Sequence, residues 1–520
     1  MQIIRSDLPR FRSAPPRVRL TKAFSSPFLN TVATAKTCYS SRGIVADDQV
    51  GSNAARLAES LYRAGHHTTF QHAHFQFTLE NVSRQFLWGF LHAHPFYNSE
   101  QVSQRYVPVR PDAFVVPPLK GEALAVYERT VARQVKAYQR LSQQLRPIVE
   151  REFHQRFRRS QRMAGKHATA ISRKCQEAAR YVVPIASHAF LYHTVSAITL
   201  LRSWRMCRQG DCPTEQESVV GQMIERMLEH DPGYARIVEP PLPPGSGPRL
   251  EGAAGGQSSA EARRFRKEFD SSLEGRISKL IDWKVRGEES LADAVREALG
   301  MPRGALSDDE AIRLALDPGK NRLLGEAMNL TTLDTVSRAM AHPAYTFRKK
   351  LSHTADSQDQ RHRMTPGSRP QLKGNLAGEP DYVTPALLAE DEAVRRDYEE
   401  AMETAWEAIG RLRQLGVEDE FALYLLPNAV AIRFTESSDL LNLHHKHRMR
   451  LCYNAQEEIW RASLDEALQI RQVHPRIGAW LLPPCAHRLA AGARPVCSEG
   501  ERFCGVRVWT LDSGDYERLI

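Results

Sequence analysis

The chain carries one short motif twice, and a duplicated motif restricts its architecture more than any composition can. In the first half Val82-Ser83-Arg84 is followed by His92-Ala93-His94 and then by Ser103-Gln104-Arg105-Tyr106. In the second half Leu351-Ser352-His353 is followed by Gln358 and by Arg361-His362-Arg363. Arg361 follows Ser352 at the spacing at which His92 follows Ser83. Two further anchors keep the same order. Glu177-Ala-Ala-Arg180 with Val183-Pro184 parallels Glu420-Phe-Ala-Leu423 with Leu426-Pro427, and Trp204-Arg205-Met206-Cys207 parallels Met449-Arg450-Leu451-Cys452. Three ordered anchors predict a fused pair of related domains.

Size agrees with that reading, since 520 residues exceed what one hydrophobic core usually organises. Hydrophobic residues at 42% and charged residues at 25% place the chain among globular proteins rather than disordered ones. Lys and Arg number 71 against 61 Asp and Glu, an excess of 10 that favours anionic partners. The arginines are scattered and form no recognisable nucleic-acid module, so phosphorylated small molecules are expected rather than nucleic acid. No apolar run approaches the roughly 18 residues that a membrane helix requires. Met1 to Leu20 has arginines but no apolar h-region, and Asp7 interrupts the basic stretch. Eight cysteines in so long a chain do not read as a disulfide scaffold. A cytoplasmic location, with no membrane partner, is the expectation.

Patterning gives a coarse outline. Val18 to Ala23 reads as a strand, Asn30 to Cys38 as a helix, and Asp47 to Ala64 as a second helix capped by Gly65. The alternation His74-Phe75-Gln76-Phe77-Thr78-Leu79 predicts a half-buried strand, and Ser83 an N-cap for the next helix. Helical patterning continues over Leu124 to Arg156 and Thr194 to His230. Pro-rich 239–248 and Gly/Ala/Ser-rich 252–259 read as a linker. Ala260 to Leu316 reads as charged helices and Pro366 to Pro385 as a loop, with long helices over Leu387 to Leu415 and Asp439 to Val473. The expected division is therefore 16–238, a linker over 239–259, a second domain over 260–480, and a Cys-containing tail over 481–520.

Ser-Arg, Arg-His-Arg and Ser-x-Arg-Tyr together form the signature that both copies share in part, and on these residues the chain resembles the flavin-dependent thymidylate synthases. Gly65-His66-His67-Thr68-Thr69-Phe70-Gln71-His72 is similar to the family's Gly-His-x-Ser/Thr-x-x-Glu-His segment, with Gln71 in place of the Glu. The resemblance puts His72 near the flavin; without it, His66, His67, His72 and His74 simply surround a strand. His92-x-His94 stands where the family has its flavin-contacting Arg-His-Arg, and metal ligation is the other reading of this pair. Ser103, Arg105 and Tyr106 correspond to the segment that holds dUMP, Gln101 to the family's Glu, and Arg180 to an arginine on the uracil carbonyl.

The second copy keeps the complementary part. Gln358 with Arg361-His362-Arg363 fits the flavin-contacting portion, whose guanidinium forks suit phosphates and ring carbonyls. The Ser-x-Arg-Tyr segment is missing there, and Leu423 stands where the uracil arginine would be. Arg450 with Ala455-Gln456-Glu457-Glu458-Ile459 matches the family's terminal helix, whose Arg contacts the pyrimidine. Arg205 stands for that arginine in the first half.

The resemblance implies an α/β (α+β) fold of two thymidylate synthase-complementing-protein-like domains, each a mixed sheet with long helices. It implies methylation of dUMP to dTMP with FAD as cofactor and NADPH and methylenetetrahydrofolate as co-substrates. Ser103, Arg180, Arg450 and His72 are then the catalytic candidates, and one composite site is expected from the two halves. A homodimer would present four domains, as the family's homotetramer does. Two alternatives stay open: an inactive nucleotide- or flavin-binding paralogue, and a methylase or hydroxymethylase of another pyrimidine nucleotide. In the tail, Cys485, His487, Cys497 and Cys504 offer a Cys₃His zinc set, at spacings that match no CxxC knuckle.

Overall fold

Strands with one buried apolar face and helices, two of them capped by Ser83 and Ser196, build the first half. The computed structural model describes residues 3–157, 167–247, 259–376 and 378–520. The first half runs β1 (Arg17–Ala23), α1 (Pro27–Thr37), α2 (Ala54–Arg63), β2 (His74–Ser83), α3 (Arg84–His92), β3 (Tyr97–Gln101), α4 (Gly121–Gln144), α5 (Arg146–Arg156), α6 (Ala168–Ala179), β4 (His188–Ser196), α7 (Ala197–Met206) and α8 (Pro213–His230). The second runs α9 (Ser259–Ser272), β5 (Ser278–Trp283), α10 (Gly287–Leu299), α11 (Asp308–Leu316), β6 (Ala344–Ser352), α12 (His353–Asp359), α13 (Ala386–Ala389), α14 (Glu392–Gln414), α15 (Asp419–Ala422), β7 (Ala431–Asp439), α16 (Leu440–Arg450), α17 (Glu457–Val473) and α18 (Pro475–Gly478). A final helix, α19 (Pro484–Ala490), opens the tail.

The α/β class and the two related domains stand, but the sheets are not mixed. Strand order is β1-β2-β4-β3 in one sheet and β5-β6-β7 in the other, and every pairing is antiparallel. The copies share a register: Ser83 pairs with His188 as Ser352 pairs with Ala431. Where β2, β6 and β7 run directly into a helix, a short polar side chain caps it. Ser83 accepts from the N–H of Phe86 at 2.8 Å, Ser352 from Ala355 at 3.1 Å, and Asp439 from Asn442 at 2.9 Å. These caps satisfy amides that the first helical turn leaves without partners.

Several sequence expectations change at the boundaries. The expected helix over Asp47 to Ala64 is interrupted at Gly51, where φ is +71°, so only Ala54–Arg63 is α-helical. Gly65 does follow that helix with φ +81°, a conformation glycine adopts without strain. The stretch expected as charged helices over 260–316 contains β5, and that expected as helix from Thr194 begins with the end of β4. In the linker expected over 239–259, Leu242 bonds back to the Arg205 carbonyl at 2.8 Å, while 248–258 lie outside the described residues.

The halves meet through core rather than through a thin contact. One hydrophobic cluster runs from Phe75, Phe77 and Tyr127 of the first half to Tyr398, Trp406 and Tyr424 of the second. At its centre Pro184 bridges Pro427, and the hydrogen bonds around that point are reciprocal. Ile185 N–H donates to the Leu426 carbonyl at 2.9 Å and Asn428 N–H to Val183 at 2.8 Å. Ala186 donates to Tyr424 at 3.1 Å and Ala429 to Tyr181 at 2.9 Å. Such paired bonds describe a pseudo-two-fold axis, as a C₂ dimer would have between identical chains.

Candidate functional site

A cleft of about 260 Å³ opens beside this axis, and it is lined from both halves. From the first come Arg84, Gln101, Ser103, Arg105, Tyr106 and Arg180; from the second, Gln358, Arg361 and Arg450. Arg84 begins α3 and reaches Gln101 Oε1 at 3.0 Å and the Val102 carbonyl, which fixes the start of the Ser103–Tyr106 turn. Ser103 Oγ accepts from the N–H of Arg105 at 3.2 Å. The Arg105 guanidinium is held by the Glu177 carboxylate and by the Asn454 carbonyl, the latter at 2.7 Å. Tyr106 lies between Arg105 and Arg173, whose guanidinium carbons stand 5.6 and 5.4 Å from its ring. Arg450 anchors α12 by donating to the Gln358 carbonyl at 2.7 Å, and Gln358 bonds Gln456.

The cleft is rich in buried positive charge whose donors are not used up. Arg84 Nε, Arg180 Nε and Nη2, and Arg450 Nε are buried without a hydrogen-bond partner in the protein. Burial pushes the Arg84 guanidinium down to about 9, and neighbouring Arg180 adds to the shift. Burial likewise lowers Arg450 to about 10. Glu177 is the main compensation. Burial alone would raise its carboxyl, but Arg105, Lys174 and Arg180 outweigh that and hold it at about 2. Orphaned guanidinium donors facing a cavity are costly unless an acceptor enters. The arrangement fits an anion with further acceptors.

Around a corner from the cleft, a second hollow of about 330 Å³ lies over β3, and Arg361 borders both. Arg361 pairs with Glu100 at 3.3 Å, and Arg363 reaches the Pro95 carbonyl at 3.0 Å while lying 5.1 Å from the Tyr97 ring centre. His362 between them turns inward. It is half-buried against His445, their ring centres 6.0 Å apart, with Nε2 shielded from solvent, and desolvation holds it neutral. Asp359, three residues earlier, is locked by Lys446 at 3.0 Å and Lys349 at 3.3 Å, which fixes the turn that presents the two arginines.

Other sequence candidates lie outside these hollows. His72 is exposed on the turn before β2, with its carbonyl 3.2 Å from His74 Nδ1. His94 accepts from the N–H of Phe96 at 3.2 Å, and burial lowers it to about 4. Arg205 pairs with Glu239 at 3.2 Å, away from the cleft. The cap residues Ser196 and Asp439, and the helix residues Glu215 and Glu458, are matched without any gap. That register sets Arg205 against Arg448, and Arg450 against Cys207. The pairing of Arg205 with Arg450 is therefore off by two residues, which is about half a helical turn and the opposite face. Gln104 and Asn428 also border the cleft, with Asn428 Nδ2 donating to Gln104 Oε1 at 3.1 Å. Sequence reading missed Asn428 because nothing but the axis contact brings it there.

At the pseudo-symmetric position the same ground is filled. Gly367 bridges Glu436 as Ser99 pairs with His193, so Arg369 takes the place of Gln101 and Leu372-Lys373 those of Gln104-Arg105. Arg369 forms a buried pair with Asp356 at 2.7 Å. Asp356 also accepts from Trp88 Nε1 at 2.9 Å and faces His92 Nε2 at 3.4 Å. The Asp211 carboxylate takes the N–H groups of Leu372 and Lys373, at 2.8 and 3.2 Å. His92 thus faces the Asp356 carboxylate, and at this position two protein carboxylates, Asp356 and Asp211, take up the donors of Arg369, Leu372 and Lys373.

In the tail the Cys₃His set does not assemble. His487 is buried, with Nε2 2.8 Å from the Trp480 carbonyl and its ring stacked on His444 at 5.0 Å. Among the described residues no group of three or more His, Cys, Asp or Glu side chains is placed so that it could hold a metal ion. None of the described helices is long and apolar enough to cross a membrane.

Two related antiparallel α/β halves meet about a pseudo-two-fold, with a cationic cleft between them. The chain belongs to the thymidylate synthase complementing protein family, whose profile matches residues 19–233 and again 279–476. It is 26% identical over 254 residues to a flavin-dependent thymidylate synthase of Clostridium tetani, covering 48% of this chain and 96% of that one. It is 31% identical over 180 residues to the enzyme of the same name from Nitratidesulfovibrio vulgaris, covering 32% of this chain and 71% of that one. Among solved structures it is similar to a UMP/dUMP methylase, PolB, from Streptomyces cacaoi, at 20% identity and a TM-score of 0.32, covering 44% of this chain and 99% of that one.

Proposed function

We propose that the chain is an FAD-dependent thymidylate synthase that methylates dUMP to dTMP in one composite site, with NADPH and methylenetetrahydrofolate as co-substrates. The carrying observation is the cleft itself: Ser103, Arg105 and Arg180 from one half face Gln358, Arg361 and Arg450 from the other. The relatives' names support the reaction class.

In this reading Ser103 and Arg105 bind the nucleotide, with a charge-assisted bond from Arg105 that Glu177 and Asn454 orient. Arg180 and Arg450 face the pyrimidine, where their fixed positive charge stabilises negative charge developing on the uracil carbonyls. Their unpartnered N–H groups supply the donors. Arg361 and Arg363 would hold the flavin, with Gln358 beside them, and half-exposed Arg361 can leave Glu100 for a ligand at little cost. Bound FAD supplies the hydride chemistry. His362 contributes by packing rather than by contact with a ligand.

The test is release of tritium from C5-labelled dUMP, with FAD, NADPH and methylenetetrahydrofolate omitted in turn, and with UMP as a competing substrate. Release coupled to dTMP formation and dependent on all three supports the reading. Tight dUMP binding without release under any combination would instead establish an inactive nucleotide-binding paralogue.

A further inference from the structure

Tyr192 stands 57% exposed on the open face of the first sheet, at the wall of the hollow over β3. The core does not need its ring, because the buried positions on either side of it along β4 are Leu191 and His193. We propose that Tyr192 is the stacking platform for the adenine ring of FAD, and so the residue that makes the chain choose the dinucleotide over FMN. The proposal rests on the reading that Arg361 and Arg363 hold the flavin.

Strand alternation puts Tyr192 and Thr194 on one face of β4. Across the ladder Tyr192 is paired with Glu100 of β3, and Thr194 with Asn98 of β3 and Gln76 of β2. Gln76 Nε2 donates to Thr194 Oγ1 at 3.1 Å, which gives the hollow a polar floor. The cations come from the other half of the chain. Arg361 Nη2 donates to Glu100 at 3.3 Å, beside Tyr192, and Arg363 Nη2 donates to Asn98 Oδ1 at 3.3 Å, beside Thr194. One phenol ring and two guanidiniums thus border a space of about 330 Å³. A nucleotide needs those parts: an aromatic face for the base and charged donors for the phosphates.

Arg361 borders this hollow and also the cleft that contains Arg180 and Arg450. The isoalloxazine has to lie against the pyrimidine, and hence on the cleft side of Arg361. The pyrophosphate then crosses Arg361 and Arg363, and the adenosine half enters the hollow over β3. FMN ends at its single phosphate and leaves Tyr192 untouched. The second copy offers no such platform. Glu436 stands there for His193, so Thr435 takes the place of Tyr192, and the Thr435 carbonyl is occupied by the N–H of Ser368 at 2.8 Å.

Affinities of the full chain for FAD and for FMN, each read by fluorescence titration, test the platform. The wild-type chain should prefer FAD by at least about tenfold, as one base stacked on an aromatic ring provides. Tyr192→Ala should remove most of that preference by weakening FAD while FMN affinity stays as it was. Tyr192→Phe, which keeps the ring, should hold the preference. So should Phe190→Ala, which removes the other exposed aromatic of β4. The comparison of the two flavins on the wild-type chain gives an answer whether or not a variant folds. Equal affinity for FAD and FMN in the wild-type chain overturns the platform, as does a Tyr192→Ala chain whose preference is unchanged; in both cases the flavin reading stands. A wild-type chain that binds neither flavin overturns both.

Discussion

The Tyr424 hydroxyl of the second half donates to the buried Glu215 carboxylate of the first, and Tyr181 of the first half donates to Glu458 of the second. Each carboxylate also receives the N–H and hydroxyl of the cap serine on its own side. Ser83 reaches Glu215 at 2.7 and 2.6 Å, and Ser352 reaches Glu458 at 2.6 and 2.6 Å. The serine that opens each copy of the motif is thus tied, through one glutamate, to a tyrosine from the other copy. Motif placement and half-to-half docking are one network.

Removing either hydroxyl leaves a buried carboxyl short of a donor. Tyr424→Phe and Tyr181→Phe should each destabilise the chain by roughly 1–3 kcal/mol. Denaturant midpoints measured at constant pH check this, and an unchanged midpoint in both variants would mean the cross-half bonds carry no stability.

The same network titrates near neutrality. Burial raises the Glu458 carboxyl from its ordinary 4.5 to about 7, against the donors from Ser352 and Tyr181. Between those values the folded chain keeps a proton that the unfolded chain gives up. Glu458's contribution is therefore complete below about pH 4.5 and is lost as pH rises through 7, a change on the order of 3 kcal/mol. Glu458→Gln, which cannot ionise, should show a shallower fall in melting temperature between pH 5 and about 7.5. Parallel curves for the two proteins would contradict the assignment.

One nucleotide should bind per chain, because Asp211 and the Asp356–Arg369 pair occupy the pseudo-symmetric position. Calorimetric titration with dUMP reads the stoichiometry, and two equivalents would show that the filled position opens. In the same titration Arg105→Ala should weaken binding at least about tenfold, since a charged bond exceeds the ~1.4 kcal/mol that tenfold represents.

Flavin occupancy should depend on the second half. Replacing Arg361 and Arg363 together by Ala removes charge-assisted bonds worth roughly 1.5–3 kcal/mol each. The double variant should purify with little bound FAD by absorbance. Wild-type occupancy, with His92 and His94 intact, would move flavin binding away from these arginines.

Neither 1–238 nor 260–520 should fold stably or act alone, since the core cluster and the Pro184–Pro427 contact run through both. Circular dichroism melts of each fragment, and of the two mixed, test this. A cooperative melt and dUMP methylation from the first fragment alone would refute the composite site.

Local chemistry made part of this protein legible in the linear chain. Ser83 and Ser352 cap helices because a serine ending an apolar strand offers its oxygen to the next free amides, and that choice is decided within a few residues. The alternation of His74 to Leu79 likewise declares a strand with one buried face. Which half keeps Ser103-x-Arg105 and which keeps Arg361 and Arg363 is also written there. Tertiary structure alone decided how those remnants meet. Arg105 is held by Asn454 and faces Arg450 only because the halves dock about Pro184 and Pro427. Helical phase set Arg450 rather than Arg205 toward the cleft, a difference of two residues that motif alignment does not register. Packing turned His362 and His487 inward and brought Cys452 to the tail cysteines. Contacts between residues far apart in sequence depend on three-dimensional docking, and no periodicity along one strand or helix encodes it.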